Sequence, residues 1–317
     1  MHDAGRNDTA DSMAEMGAQQ AAAPRNAAER RARYFNSANA FNIKLPAVPA
    51  RAFDDVAARA LAPGMPTGWY ACDQSGALRC DCVATTPLML ARYARINAQQ
   101  QLHLHGLCSG VICYVIQGQG RAGTVTEQLH WETGDVILFA GGQDVVFSAA
   151  DGDAVLWVVT DEPLYAHCRA VPPADCGVVP TVHYRNADID AQLQLIQYKT
   201  PEATTSGCAV VFSSEQLQAS RNLLPTLTLS LNSLRGHCDQ QPHRHNSAAI
   251  TLVVSGQACH TTIDGQPVPW QPWSTLVTPA AAAHSHHNRG EDLARFLIVQ
   301  DGGLYYHART MGFQFLG

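Results

Sequence analysis

From Gly68 onward the chain alternates short apolar runs with turns rich in glycine, proline and aspartate. Residues 88–96, 110–117, 135–140 and 154–160 form one set of runs, each of a length suited to a strand. A second set covers 224–231, 249–254, 258–262, 274–278 and 295–299. The turn signals Gly118-Gln119-Gly120 and Thr133-Gly134-Asp135 punctuate the first set. Few stretches carry a helical period. Residues 53–61 do, and 27–33 suggest a short frayed helix. Many short strands with few helices predict an all-β sandwich or barrel architecture.

The two sets read as a repeat. Trp131 followed by Gly134-Asp135-Val136-Ile137-Leu138 answers Trp270 followed by Trp273-Ser274-Thr275-Leu276-Val277. Gln117-Gly118-Gln119 answers Ser255-Gly256-Gln257. His103-Leu104-His105 answers His243-Arg244-His245. Counting on by the same interval sets Val145 against His284. The expected organisation is a tail over 1–33, a first barrel over 34–170 and a second over 171–317. Residues 1–33 are rich in Ala, Gln, Asn and Asp without a core pattern, as a loosely held tail would be. The aromatic segment 304–313 is expected to close a barrel or to meet another copy of the chain.

Composition narrows the function without naming it. The formal net charge of -6 offers no basic surface for nucleic acid. No run approaches the roughly 18 apolar residues of a membrane span. No secretory leader pattern precedes the ten cysteines, so a reducing cytoplasm with free thiols is the expected setting. Cys80-Asp81-Cys82 is too closely spaced for the usual zinc pairs and reads as ordinary cysteine. Gly118-Gln119-Gly120 lacks the following helix of a dinucleotide fingerprint, and no Ser-His-Asp set is recognisable.

The candidate chemistry lies in histidines. On a strand, His243 and His245 share a face and Arg244 takes the other. His284 is the candidate third ligand from a facing strand. Three neutral imidazoles suit Fe, Zn, Cu or Ni. The first set keeps a His103/His105 pair but has Val145 in the third place, which predicts a barrel without metal. His130 or Glu127 is the alternative helper for a second ion there.

These motifs resemble the two cupin motifs: a histidine pair, a glycine turn, then Pro, His and Asn. Pro242-His243-Arg244-His245 followed by Ala249-Ile250, and His284-Ser285-His286-His287-Asn288 after Pro279, are similar to the bicupin ring-cleaving dioxygenases. That group includes gentisate 1,2-dioxygenase and its salicylate- and hydroxynaphthoate-cleaving relatives. The resemblance implies two jelly-roll barrels in tandem with a few peripheral helices. It implies Fe(II) held by His243, His245 and His284, with Zn, Ni or Mn as alternatives. It also implies a hydroxylated aromatic carboxylate and O2 as reactants, and a homo-oligomer.

The departures from the family are specific. The glutamate that many cupins place after the histidine pair is absent. Thr251 stands where the dioxygenases place a carboxylate-holding arginine, Ser285 replaces the aspartate of the second motif, and the intact site lies in the second barrel. His286 is a candidate for acid-base assistance, or a buried histidine bonded to a backbone carbonyl. Asn232, Thr251, Arg295 and Arg309 are candidates for substrate contact; for each arginine the alternative is a surface charge. His287, of opposite parity, is expected outside, and Asn288 is expected to tie a turn. The expected function is a ring-cleaving dioxygenase. The rivals are a metallo-cupin of other chemistry, such as an isomerase or another oxygenase, and a non-catalytic small-molecule-binding bicupin.

Overall fold

The computed structural model describes residues 10–316 except 126, 174–178, 198 and 200–206. It divides into a short N-terminal unit up to Pro46 and a large unit from Ala47. Residues 1–9 of the expected tail lie outside the described residues. The rest of the short unit holds the helix Ala27–Arg31, capped by Asn26, whose side chain accepts from the Glu29 amide. A single bridge joins Gln19 to Tyr34.

The large unit is built from antiparallel sheets in two barrels. In the first barrel the larger sheet runs Val182–Tyr184, Val136–Ala140, Gly110–Gln117, Ala154–Thr160, Leu90–Ile96, Gly68–Ala71. Its smaller sheet runs Gln101–His105, Asp144–Ala149, Gln119–Gly123, Gln128–Glu132. The second barrel repeats the plan. Its larger sheet runs Arg51–Ala52, Thr275–Thr278, Ala249–Ser255, Ala294–Gln300, Thr228–Leu234, Cys208–Phe212. Its smaller sheet runs Gln266–Pro269, Cys259–Ile263, His284–Asn288, His243–His245, Phe313–Phe315. The boundary expected at 170/171 is crossed from both sides. Arg51–Ala52 pairs with Thr275–Thr278 of the second barrel, and Val182–Tyr184 pairs with Val136–Ala140 of the first.

The continuous apolar runs have a physical reason: both faces of the larger sheets are buried. Along Gly110–Gln117, Ile112, Tyr114 and Ile116 face a core shared between the barrels, while Val111, Cys113 and Val115 face the first barrel's interior. Ala154–Thr160 divides likewise, with Val155, Trp157 and Val159 on the shared side. The shared core also takes Leu229, Ile250, Leu252 and Leu297 from the second barrel. Each such side chain contributes on the order of 1.5–3 kcal/mol by leaving water. Polar contacts fix the register across this seam. The Tyr93 hydroxyl donates to the Trp273 carbonyl at 2.6 Å, and the Trp157 indole donates to Thr275 Oγ1 at 3.0 Å.

The helix expected over 53–61 is Asp54–Leu61, which turns Val56, Ala57 and Ala60 inward. The turn at Gly118 needs glycine. Its φ is +89°, and a Cβ there would stand 2.7 Å from that of Ala154. Each barrel also carries the same short motif. Asp161, Leu164, Tyr165, His167 and Arg169 recur as Asp301, Leu304, Tyr305, His307 and Arg309. Both stretches form a helix directly after a long inner strand of a larger sheet, Ala154–Thr160 in one and Ala294–Gln300 in the other, and both helices stop at an arginine in the left-handed conformation. Each aspartate accepts from a backbone amide at the start of the matching loop, Ser109 in one barrel and Ala248 in the other.

Candidate metal centre

His243 and His245 alternate with exposed Arg244 on a three-residue strand, so both imidazoles enter the second barrel. His243 pairs across the sheet with His284. One nitrogen from each of the three rings lies within 4.8 Å of the others, and all three residues are buried. Neighbouring nitrogens bonded to one ion at about 2.1 Å stand about 3.0–3.4 Å apart. The set therefore fits an ion once the three rings turn inward towards it.

The hydrogen bonds decide which nitrogen is offered. Nδ1 of His243 faces the Gln241 carbonyl at 2.9 Å, Nδ1 of His245 the Ser247 carbonyl at 2.8 Å, and Nδ1 of His284 the Ala282 carbonyl at 3.0 Å. A carbonyl only accepts, so each Nδ1 carries the proton and each Nε2 keeps its lone pair. Burial lowers the pKa of His243 and His245, and pushes His284 down to about 3 with help from the neighbouring His243 charge. All three rings are neutral at pH 7, as ligation requires.

The C-terminal strand Phe313–Phe315 lies alongside the histidine strand. Phe313 stacks on His243 with ring centroids 5.1 Å apart. Thus the aromatic segment closes the second barrel beside the site. A cavity of about 1050 Å³ opens onto His243 and His245. Leu229, Ile298 and Asn232 line it, as do Gln300 and Arg309. The amide of Gln300 stands 3.3 Å from His245 Nε2. Gln300 and Arg221 are lining residues that sequence reasoning did not single out; nothing in their local pattern marks them.

The other candidates lie elsewhere. Thr251 is buried on Ala249–Ser255 and does not line the cavity. Arg295 is bound to Asp190 at 2.7 Å and also lies away from it. His286 is buried behind the histidine set. Its Nδ1 is 2.9 Å from Thr261 Oγ1, which accepts from the Trp270 indole at 2.8 Å. Burial holds its pKa well below the usual histidine range. His287 turns to the other face, where it meets Asp239 at 2.6 Å and stacks on His260. Asn288 ties the strand end, donating to the Leu234 and Asp292 carbonyls.

The first barrel answers this site with apolar residues. Leu104 and Val145 are cross-strand partners, as His243 and His284 are. Ala122 pairs with Phe147 where Thr261 pairs with His286. His103 and His105 are displaced by one position from the matching register and point outward, His105 to Asp144 at 2.5 Å. The sequence-based pairing of His103/His105 with His243/His245 is therefore corrected: a one-residue step turns a strand's side chains to the opposite face. The match of Val145 to His284 stands.

Residues 234–300 match the cupin domain family. A gentisate 1,2-dioxygenase from Ralstonia sp is 32% identical over 65 residues, which is 20% of this chain and 18% of that protein. The 1-hydroxy-2-naphthoate 1,2-dioxygenase of Nocardioides sp. (strain KP7) is 35% identical over 63 residues, 20% of this chain and 16% of that one. These matches span less than a fifth of either relative. The crystal structure of salicylate 1,2-dioxygenase from Pseudaminobacter salicylatoxidans superposes with a TM-score of 0.69 at 15% identity, over 87% of this chain and 91% of that one. The cupin match spans all three histidines and the two-barrel plan is that of the salicylate dioxygenase, so residues 234–300 are a cupin domain and the chain resembles the bicupin gentisate, salicylate and hydroxynaphthoate dioxygenases.

Proposed function

We propose that the protein is an Fe(II)-dependent ring-cleaving dioxygenase for a hydroxylated aromatic carboxylate, with His243, His245 and His284 as the ligands. The observation that carries this reading is the convergence of three tautomer-fixed imidazoles beside a largely apolar cavity. Iron held there by His243, His245 and His284 would supply the binding and activation of the substrate's oxygens and of O2. The carbonyls of Gln241, Ser247 and Ala282 hold the ligand rings in orientation, so little ordering is left to the moment of binding. Leu229 and Ile298 exclude water from the ring of the substrate, and Asn232 and Gln300 offer amide contacts to its oxygens. His286 acts through its neighbours: the Trp270–Thr261 chain fixes its ring behind His284. Thr251, in place of the family's arginine, favours one second reading, a metallo-cupin with other oxygen or isomerase chemistry.

The described cysteines form no disulfide, which supports a reducing compartment such as the cytoplasm. Among the described residues no helix is long and apolar enough to cross a membrane. The test is metal analysis of anaerobically purified protein, followed by oxygen uptake with gentisate, salicylate and 1-hydroxy-2-naphthoate. One iron per chain and uptake on at least one of them is expected. Absence of iron, or iron without uptake on any, defeats the dioxygenase reading.

A further inference from the structure

Three observations bear on what the cavity of the second barrel holds. First, its lining contains no aspartate or glutamate, while Arg221 and Arg309 both border it. Neither guanidinium is paired with a carboxylate among the described residues. Arg295, by contrast, is committed to Asp190. Second, both arginines sit at fixed bends. Arg221 has φ 55°, with its amide bonded to the Leu217 carbonyl at 2.9 Å, and Arg309 ends the last helix at φ 59°. These bends place each backbone at the cavity's edge, and the Arg309 guanidinium donates to the His307 carbonyl, itself part of a lining residue. Third, the cavity measures about 1050 Å³. A cavity of about 150 Å³ already accommodates one benzene ring. The space suits a ligand with more than a single ring.

We infer that this cavity binds an anion with an extended apolar body, and that Arg221 and Arg309 read its carboxylate from outside the strand Ala249–Ser255. The recognition of charge has thereby moved from the sheet, where Thr251 offers none, to a turn and a helix end. A guanidinium binds carboxylate in a planar fork, and both arginines are exposed at the cavity's rim, where an entering anion meets them. The inference rests on the proposed function only in taking the ligand to be the substrate; the preference for an anion does not need the chemistry.

The test uses full-length protein, both metal-free and zinc-loaded, titrated by fluorescence with 1-hydroxy-2-naphthoate and its carboxamide, and with salicylate. The wild-type protein is expected to bind the naphthoate at least about tenfold more tightly than the carboxamide, and more tightly than salicylate. Arg221→Gln and Arg309→Gln are each expected to cut naphthoate affinity about tenfold and leave carboxamide affinity in place. Arg221→Lys keeps the charge and retains part of the preference, and circular dichroism verifies that each variant is folded. Equal binding of naphthoate and carboxamide by the wild type, or an unchanged ratio in both glutamine variants, overturns the assignment. Equal binding of salicylate and the naphthoate overturns the extended body. Collapse of the ratio without oxygen uptake by iron-loaded protein defeats the dioxygenase reading and leaves this one standing; uptake with an unchanged ratio does the reverse.

Discussion

The two barrels share a strand plan and differ in what fills them. In the first, Leu104, Val145, Phe147 and Ala122 occupy the positions that His243, His284, His286 and Thr261 occupy in the second. The first interior is a continuous apolar core. The second keeps Val253, Cys259, Trp270, Leu276, Ala294 and Phe296 as its buried apolar cluster, and gives the rest to histidines and hydroxyls. Trp131 and Trp270 record the difference at one atom. The Trp270 indole donates to Thr261, whereas the buried indole nitrogen of Trp131 has no partner, because Ala122 replaces the threonine. The same backbone thus supports either a packed scaffold or a polar pocket, depending on a handful of inward side chains.

The comparison breaks most readily at the ligands. His284→Ala is expected to lower metal affinity by about a hundredfold or more, since it removes one of three ligands. His103→Ala and His105→Ala should leave metal content unchanged. Elemental analysis after dialysis checks both, and loss of metal from the His103 or His105 variant would restore a first-barrel site.

In the first barrel the corresponding blow is to packing. Leu104→Ala is expected to cost about 2–5 kcal/mol in urea unfolding, with metal content intact.

Acid should distinguish the barrels next. The folded-state pKa of His284, about 3, lies below its ordinary 6.5, so the unfolded chain binds the extra proton. Its contribution is complete above pH 6.5 and is lost as pH falls from there towards 3. Asp301 runs the other way. Burial raises it from 3.8 to about 7, so its contribution is complete below pH 3.8 and lost as pH rises through 7. Below pH 6.5 the two groups of the metal-free protein therefore oppose each other, and Asp301→Asn is expected to steepen the loss of stability as pH falls from about 7 to 3.8. Melting temperatures across pH test each slope separately.

A smaller effect concerns the orphaned indole. Thr261→Ala should cost about 1–3 kcal/mol by leaving the Trp270 donor unpaired. Denaturant unfolding checks this, and a neutral result would mean that water replaces the hydroxyl.

Much of this contrast was legible in the chain. Continuous apolar runs such as 110–117 and 154–160 matched their strands because both faces are buried, and burial is what hydrophobic pattern reports. The paired tryptophans and Val145 located the repeat and the missing ligand. The histidine pair of the first barrel misled because matching residue types drew attention one place away from the matching faces. Asp144–Ala149 and Gln119–Gly123 carry alternating or polar residues with a solvent face and gave no comparable run. Gln300 lies at the end of an apolar strand and Arg221 in an irregular turn. Their approach to the cavity is a product of tertiary folding, which no local pattern encodes.

The exchanged edge strands bear on how the molecule comes into being. The second barrel's larger sheet begins with Arg51–Ala52, and the first barrel's larger sheet is not finished until Val182–Tyr184 has been added. During synthesis, the earliest of these segments must wait for a partner that leaves the ribosome more than two hundred residues later, at Thr275–Thr278. A cut at the apparent midpoint would strip an edge from each half. The halves are thus expected to mature together rather than in succession, and a gene split between them to yield pieces that assemble only when coexpressed.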